Sequence, residues 1–109
     1  ASVGMTEAQA SERGYTLRIG KFPYTASGKA TAAGNRDGMV KLIFDADTDR
    51  LLGAHLFGLN VTEMVAEPSL VLTLGATAQD IIRTIHSHPT MSEGIMEAAA
   101  AAHGEAIHL

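Results

Sequence analysis

Two apolar runs, residues 39–44 (MVKLIF) and 51–58 (LLGAHLFG), flank a six-residue polar segment, 45–50 (DADTDR). Runs of this length, rich in Val, Ile, Leu and Phe, read as strands, and a polar connection of hairpin length makes them antiparallel neighbours. Asp37-Gly38 supplies a turn ahead of the first. An isolated hairpin is marginal in water, so the rest of the chain has to cover it or extend it.

The flanking segments carry signals for both. Residues 1–4 read as a strand end. Thr6, with Gln9 at the third helical position, has the form of a capping box for a short helix over 6–13, which Gly14 stops. Residues 15–20 (YTLRIG) alternate as a strand does, and Pro23 closes it; residues 26–36, rich in Ala, Gly and Ser, read as a loop with one helical turn.

Beyond the hairpin the period changes. Asn60-Val61-Thr62-Glu63 has capping-box form, and Val61, Met64, Val65, Leu72 and Leu74 are spaced for a buried helix face. Pro68 interrupts that pattern. An interior proline loses a hydrogen bond at a cost of roughly 3 kcal/mol, so the helix is kinked there or a second one begins there. Gly75 ends it, Thr77 caps 78–84, and 90–103 reads as a final helix with alanines at 98–102. Strands early and helices late predict an α+β fold: an antiparallel sheet with helices packed on one face. At 109 residues the chain is one domain, 1–109.

Composition narrows the chemistry. There is no cysteine, which excludes disulfides, thiolate catalysis and cysteine-held metals within this chain. Net charge is −4, only 5% of residues are aromatic and no Lys/Arg run occurs, which argues against a nucleic-acid partner. The longest stretch without an ionisable side chain, 68–79, falls far short of the ~20 residues that span a bilayer. The amino end has neither signal-peptide form nor an initiator Met, and reads as the edge of a piece of a longer chain.

Asp45-x-Asp47-x-Asp49 superficially resembles a calcium loop, but Arg50 and Leu56 stand where Gly and Glu are needed, leaving a solvated hairpin turn. The glycines around Gly28, Gly34 and Gly38 fit neither phosphate-loop nor dinucleotide fingerprints. The dense cluster is 86–93 (HSHPTMSE). It admits three readings. His86 and His88 with a carboxylate could ligate a metal if His55, His103 or His108 converged on them. His88 and Glu93 could form an acid–base dyad, with the carboxylate fixing the tautomer. Alternatively, Thr90-x-x-Glu93 is only a capping box at a helix start.

The run His86-x-His88-Pro89-Thr90-x-Ser92-Glu93 resembles the C-terminal signature of the pyridine nucleotide-disulfide oxidoreductases, in its dihydrolipoamide-oxidising form; glutathione-reducing relatives keep the His-Pro-Thr part but usually lack the first His. Residues 1–7, 20–24, 38–41, 49–55 and 75–78 are similar to further parts of that family's terminal domain. The resemblance implies an interface, or dimerisation, domain that follows FAD- and NAD-binding domains absent from this chain. It implies a homodimer in which His88 is the base presented to the partner's flavin and redox disulfide, and Glu93 orients it. It further implies a cis His88-Pro89 peptide with its backbone (His88, Pro89) near the partner flavin, and a supporting role for His86. FAD and NAD would belong to the whole enzyme, with none on this chain. The partners implied are a second copy and lipoyl-bearing 2-oxo acid dehydrogenase complexes or the glycine cleavage system, in a bacterial cytoplasm or mitochondrial matrix. Alternatives are the interface domain of a glutathione reductase-like enzyme and a dimerisation module without chemistry. Relatives generally carry another residue where Pro68 stands.

Overall fold

The computed structural model describes residues 1–26 and 37–104. Strands β1 (Ser2–Gly4), β2 (Leu17–Pro23), β3 (Gly38–Asp45) and β4 (Leu51–Gly58) form one antiparallel sheet in the order β1-β4-β3-β2. Helix α1 (Glu7–Glu12) lies between the first two strands in sequence, and α2 (Val61–Met64), α3 (Ala66–Leu74), α4 (Ala78–Arg83) and α5 (Glu93–Ala102) follow the last. The loop expected at 26–36 falls, beyond Ala26, outside the described residues, as does His108.

The central hairpin pairs as its pattern predicts, with Lys41 opposite His55 and Leu42 opposite Ala54. Alternation then sorts the side chains onto two faces. Val40, Leu42 and Phe44 of β3, with Phe22, Ala54 and Leu56, meet Ile81 of α4 and Ile95, Ala98 and Ala99 of α5 in the main core. Ile43 faces the other way and joins Leu52, Ile19, Leu17 and Met5 around the fully buried Ala10 of α1. The helical layer α2–α5 thus covers one face as expected, and α1 adds a small cover to the other. There Lys41 Nζ pairs with Glu7 Oε1 at 2.7 Å.

Helix α5 sits unusually close to β2. A methyl group placed on Gly20 would lie 1.7 Å from the Ala98 carbonyl oxygen and 2.8 Å from the Ala102 amide nitrogen. Gly20 and the alanine run are therefore one feature: neither surface has side chains long enough to hold the backbones apart.

Several boundaries differ from the sequence expectation, each for a local reason. Strand β2 starts at Leu17, because the Tyr15 amide still closes the end of α1 on Ala10 O at 3.2 Å. Pro23 ends β2 on an edge of the sheet, where no ladder partner is required of its nitrogen. Thr6 and Gln9 form their capping box. Asn60 does not, because its backbone is left-handed (φ 68°) and a capping side chain needs extended backbone to reach the first-turn amides. Of the two possibilities at Pro68, the second holds: α3 begins at Ala66, so Pro68 occupies the first turn, where an amide hydrogen has no helical acceptor. The first backbone bond of this helix comes from Ser69, to Val65 O at 3.0 Å. Helix α5 starts at Glu93, not at Thr90, because the Thr90 hydroxyl donates to Ser87 O at 2.6 Å and caps nothing.

Candidate active site

The segment between α4 and α5 carries the His-rich octad, and both ends of it are anchored. Helix α4 is capped by Thr77, whose hydroxyl accepts from the Asp80 amide at 3.1 Å, while Asp80 Oδ2 accepts from the Thr77 amide at 2.9 Å. The Thr77 amide, then its hydroxyl, then the Arg83 guanidinium hold the Asp80 carboxyl below the usual aspartate range. At the other end Thr84 leaves the helix in extended backbone, its hydroxyl donating to Asp80 O at 2.8 Å.

Beyond Thr84, His88 precedes a cis peptide to Pro89. Its Nδ1 lies 2.9 Å from Oε1 and 2.8 Å from Oε2 of Glu93. A carboxylate can only accept, so Nδ1 carries the hydrogen and a neutral ring has its lone pair on Nε2. The imidazole side chain is 71% exposed and the carboxylate beneath it only 18%. Oε1 of Glu93 also accepts the Thr90 amide, at 2.8 Å. The dyad and the loop-closing contact of Thr90 with Glu93 therefore coexist, sharing one carboxylate. Such an arrangement can take a proton at Nε2 and stabilise the resulting imidazolium through Nδ1. Beside it Asn60, Glu63, Pro89, Thr90 and Ser92 line a groove of about 390 Å³.

His86 points the opposite way and is nearly enclosed, with 6% of its side chain exposed. Nε2 meets Glu67 Oε2 at 2.7 Å and Nδ1 meets the Thr84 carbonyl at 2.9 Å. Nothing in the sequence marked Glu67, which is nineteen positions away on another helix. The remaining described histidines do not approach the octad. His55 bonds Ser2 Oγ and Met5 O at 3.0 and 2.9 Å, across the sheet. His103 bonds Asp49 Oδ1 at 2.8 Å. Among the described residues no group of three or more His, Asp or Glu side chains is placed to hold a metal ion.

The loop that superficially resembled a calcium site is held by the protein rather than by solvent alone. Asp45 accepts from the Asp47 amide at 3.0 Å and the Thr48 hydroxyl at 2.9 Å, and is 8% exposed. Asp49, at φ 66°, turns its other oxygen to the Gln79 amide at 3.1 Å. It therefore ties the hairpin to α4 and to the end of α5.

Known proteins share this sequence and this fold. Residues 1–99 match the family described as pyridine nucleotide-disulphide oxidoreductase, dimerisation domain. The chain is 50% identical over all of its 109 residues to a dihydrolipoyl dehydrogenase of Thermus scotoductus, and 52% identical over 99% of its length to that of Bacillus subtilis. It spans about a quarter of the length of these curated relatives, 24% and 23%. Among solved structures, the HOCl-induced flavoprotein disulfide reductase RclA from Escherichia coli superposes with a TM-score of 0.86 at 32% identity, covering 91% of this chain and 23% of that one.

Proposed function

Since this chain belongs to the pyridine nucleotide-disulphide oxidoreductase family as its dimerisation domain, we propose that it is the C-terminal domain of a homodimeric, NAD-dependent dihydrolipoyl dehydrogenase. In that enzyme it lends an acid–base pair to its partner's active site. The observation that carries this reading is the His88–Glu93 contact, with the donor nitrogen engaged and the far side of the ring open to solvent. Identities near 50% to dihydrolipoyl dehydrogenases, against 32% to the disulfide reductase above, favour dihydrolipoamide as the substrate.

The chemistry needs such a base. Reduced lipoamide is a dithiol, a thiol of pKa near ~8.5 is mostly protonated at neutral pH, and only the thiolate attacks a disulfide. His88 Nε2 takes the thiol proton, and the positive ring is paired at once with Glu93. The freed thiolate attacks the partner subunit's redox disulfide and displaces one of its sulfurs as thiolate. The substrate's second thiol gives its proton to that displaced thiolate and attacks the substrate sulfur of the mixed disulfide, closing the oxidised ring of lipoamide and expelling the enzyme's other sulfur as a thiolate, so the enzyme pair is left reduced. A bound FAD would supply the two-electron acceptor that reoxidises the cysteine pair, with NAD as the final acceptor.

This sequence has no dinucleotide fingerprint, so a flavin fits the chain only at its rim, where the exposed His88 ring and the groove beside Pro89 present the backbone of His88 and Pro89 to it. Leu70, Leu74 and Ile85, 59, 72 and 96% exposed, support a second copy as the cover for this side of the domain. Ile85 is three residues from His88, so a partner seated there is brought to the base. The whole enzyme would serve lipoyl-bearing 2-oxo acid dehydrogenase complexes or the glycine cleavage system, in a bacterial cytoplasm or mitochondrial matrix. No described helix is long and apolar enough to cross a membrane.

The test is His88→Gln in the full-length protein. Turnover of dihydrolipoamide with NAD should fall by about 10² to 10⁴ with flavin still bound. Wild-type turnover would remove His88 from the mechanism.

A further inference from the structure

We propose that His86 is a positioning residue for the base two positions on: clamped to Glu67 of α3, it fixes the stretch of backbone that presents His88. The inference rests on the acid–base reading of His88.

Its ring meets two groups that can only accept, the Thr84 carbonyl at Nδ1 and the Glu67 carboxylate at Nε2. Both ring nitrogens are engaged, one by the backbone leaving α4 and the other by a side chain of α3. The His86 side chain is almost enclosed while Glu67 is partly exposed, so the contact is made at the edge of the interior rather than in open solvent.

What the clamp holds follows from the other contacts of the segment. Thr84 is tied to α4 through its hydroxyl, Ser87 O accepts the Thr90 hydroxyl, and Glu93 takes both His88 and the Thr90 amide. The Thr84 and Glu93 contacts join the segment to its two flanking helices, and the Ser87–Thr90 bond closes it on itself. His86–Glu67 is the contact that joins it to α3, where Glu67 stands in the first turn beside the buried, conformationally fixed Pro68. Met91 seats the far half of the segment in the core, so without the clamp it is the half ahead of the cis peptide, with His88, that can swing away from its target. A misplacement of about 1 Å is worth on the order of 10²-fold in rate.

The test uses the full-length homodimer with FAD bound. His86→Phe keeps a planar ring and removes both donors; Glu67→Gln keeps the shape and removes the charge. Each should lower kcat for dihydrolipoamide oxidation by about 10- to 100-fold while flavin content is unchanged. The decisive measurement repeats both substitutions on a His88→Gln background, where a residue acting through His88 costs nothing further. Equal losses on both backgrounds mean a general structural role and overturn the proposal, as does undiminished kcat on the wild-type background. If His86→Phe fails to fold, Glu67→Gln decides by the same comparison. Wild-type kcat in His88→Gln alone would instead sink the acid–base reading, a result readable without either of the other variants.

Discussion

Glu93 holds His88 and the Thr90 amide with a single carboxylate, Oε1 accepting from both at 2.9 and 2.8 Å while Oε2 adds a second contact to the ring at 2.8 Å. The residue that sets the tautomer of His88 therefore also closes the loop on which that ring stands.

Glu93→Gln separates those two duties. The amide retains one accepting oxygen, enough for the Thr90 amide and the ring together but without the charge that stabilises a positive ring. Hydrogen bonds to charged groups are worth about 1.5–3 kcal/mol, and each ~1.4 kcal/mol is tenfold in rate. In the full-length protein kcat should fall by roughly 10- to 100-fold, less than in His88→Gln, with flavin content unchanged. A loss equal to that of His88→Gln would show that Glu93 does more than stabilise the charged ring.

The contact between α5 and β2 predicts a severe effect from a single methyl group. Gly20→Ala puts a carbon within 1.7 Å of the Ala98 oxygen, and backbone on both sides leaves no flexible side chain to yield. Overpacking of this kind costs about 1–3 kcal/mol or more. Denaturant unfolding of the full-length protein should show the loss as a lowered midpoint, accompanied by reduced kcat because Glu93 opens the displaced helix. An unchanged midpoint would mean that helix and strand can part without penalty.

Asp80 gives the fold a defined acid dependence. Its carboxyl is held below the ordinary value by the Thr77 amide, the Thr77 hydroxyl and Arg83. A pKa lower in the folded than in the unfolded chain means that the stabilisation is present above the unfolded value, about 3.9, and is lost as pH falls through the folded one. The thermal midpoint of Asp80→Asn should lie below that of wild type at pH 7, and the gap should close in acid below about pH 4. A gap that stays constant down to pH 2 would exclude the Thr77 cap as its source.

Local patterns were legible in the sequence and contacts between distant elements were not. The hairpin, the Thr6 capping box, the Thr77 cap and the His88–Glu93 contact depend on residues a few positions apart, where spacing alone brings groups together. Of the capping box at Thr90-x-x-Glu93 the carboxylate half holds and the hydroxyl half does not, because a closer competitor, the Ser87 carbonyl, lies outside the capping pattern. Asn60 failed for a comparable reason: its composition fits a cap, but its left-handed backbone does not. Glu67 and Asp49 could not have been found. Each acts across 19 or more residues, through a fold that no periodicity encodes.

Gly94 follows Glu93 directly and rests against Val40 and Phe22 of the sheet, within 3.3 and 3.4 Å of where its own side chain would begin. The carboxylate next to it thus takes its coordinates from the sheet, as an instrument takes its zero from the bench it is bolted to. Natural variation at Phe22, Val40 or Gly20, buried and remote from any substrate, should therefore surface as a change in proton transfer before it surfaces as a loss of folded protein.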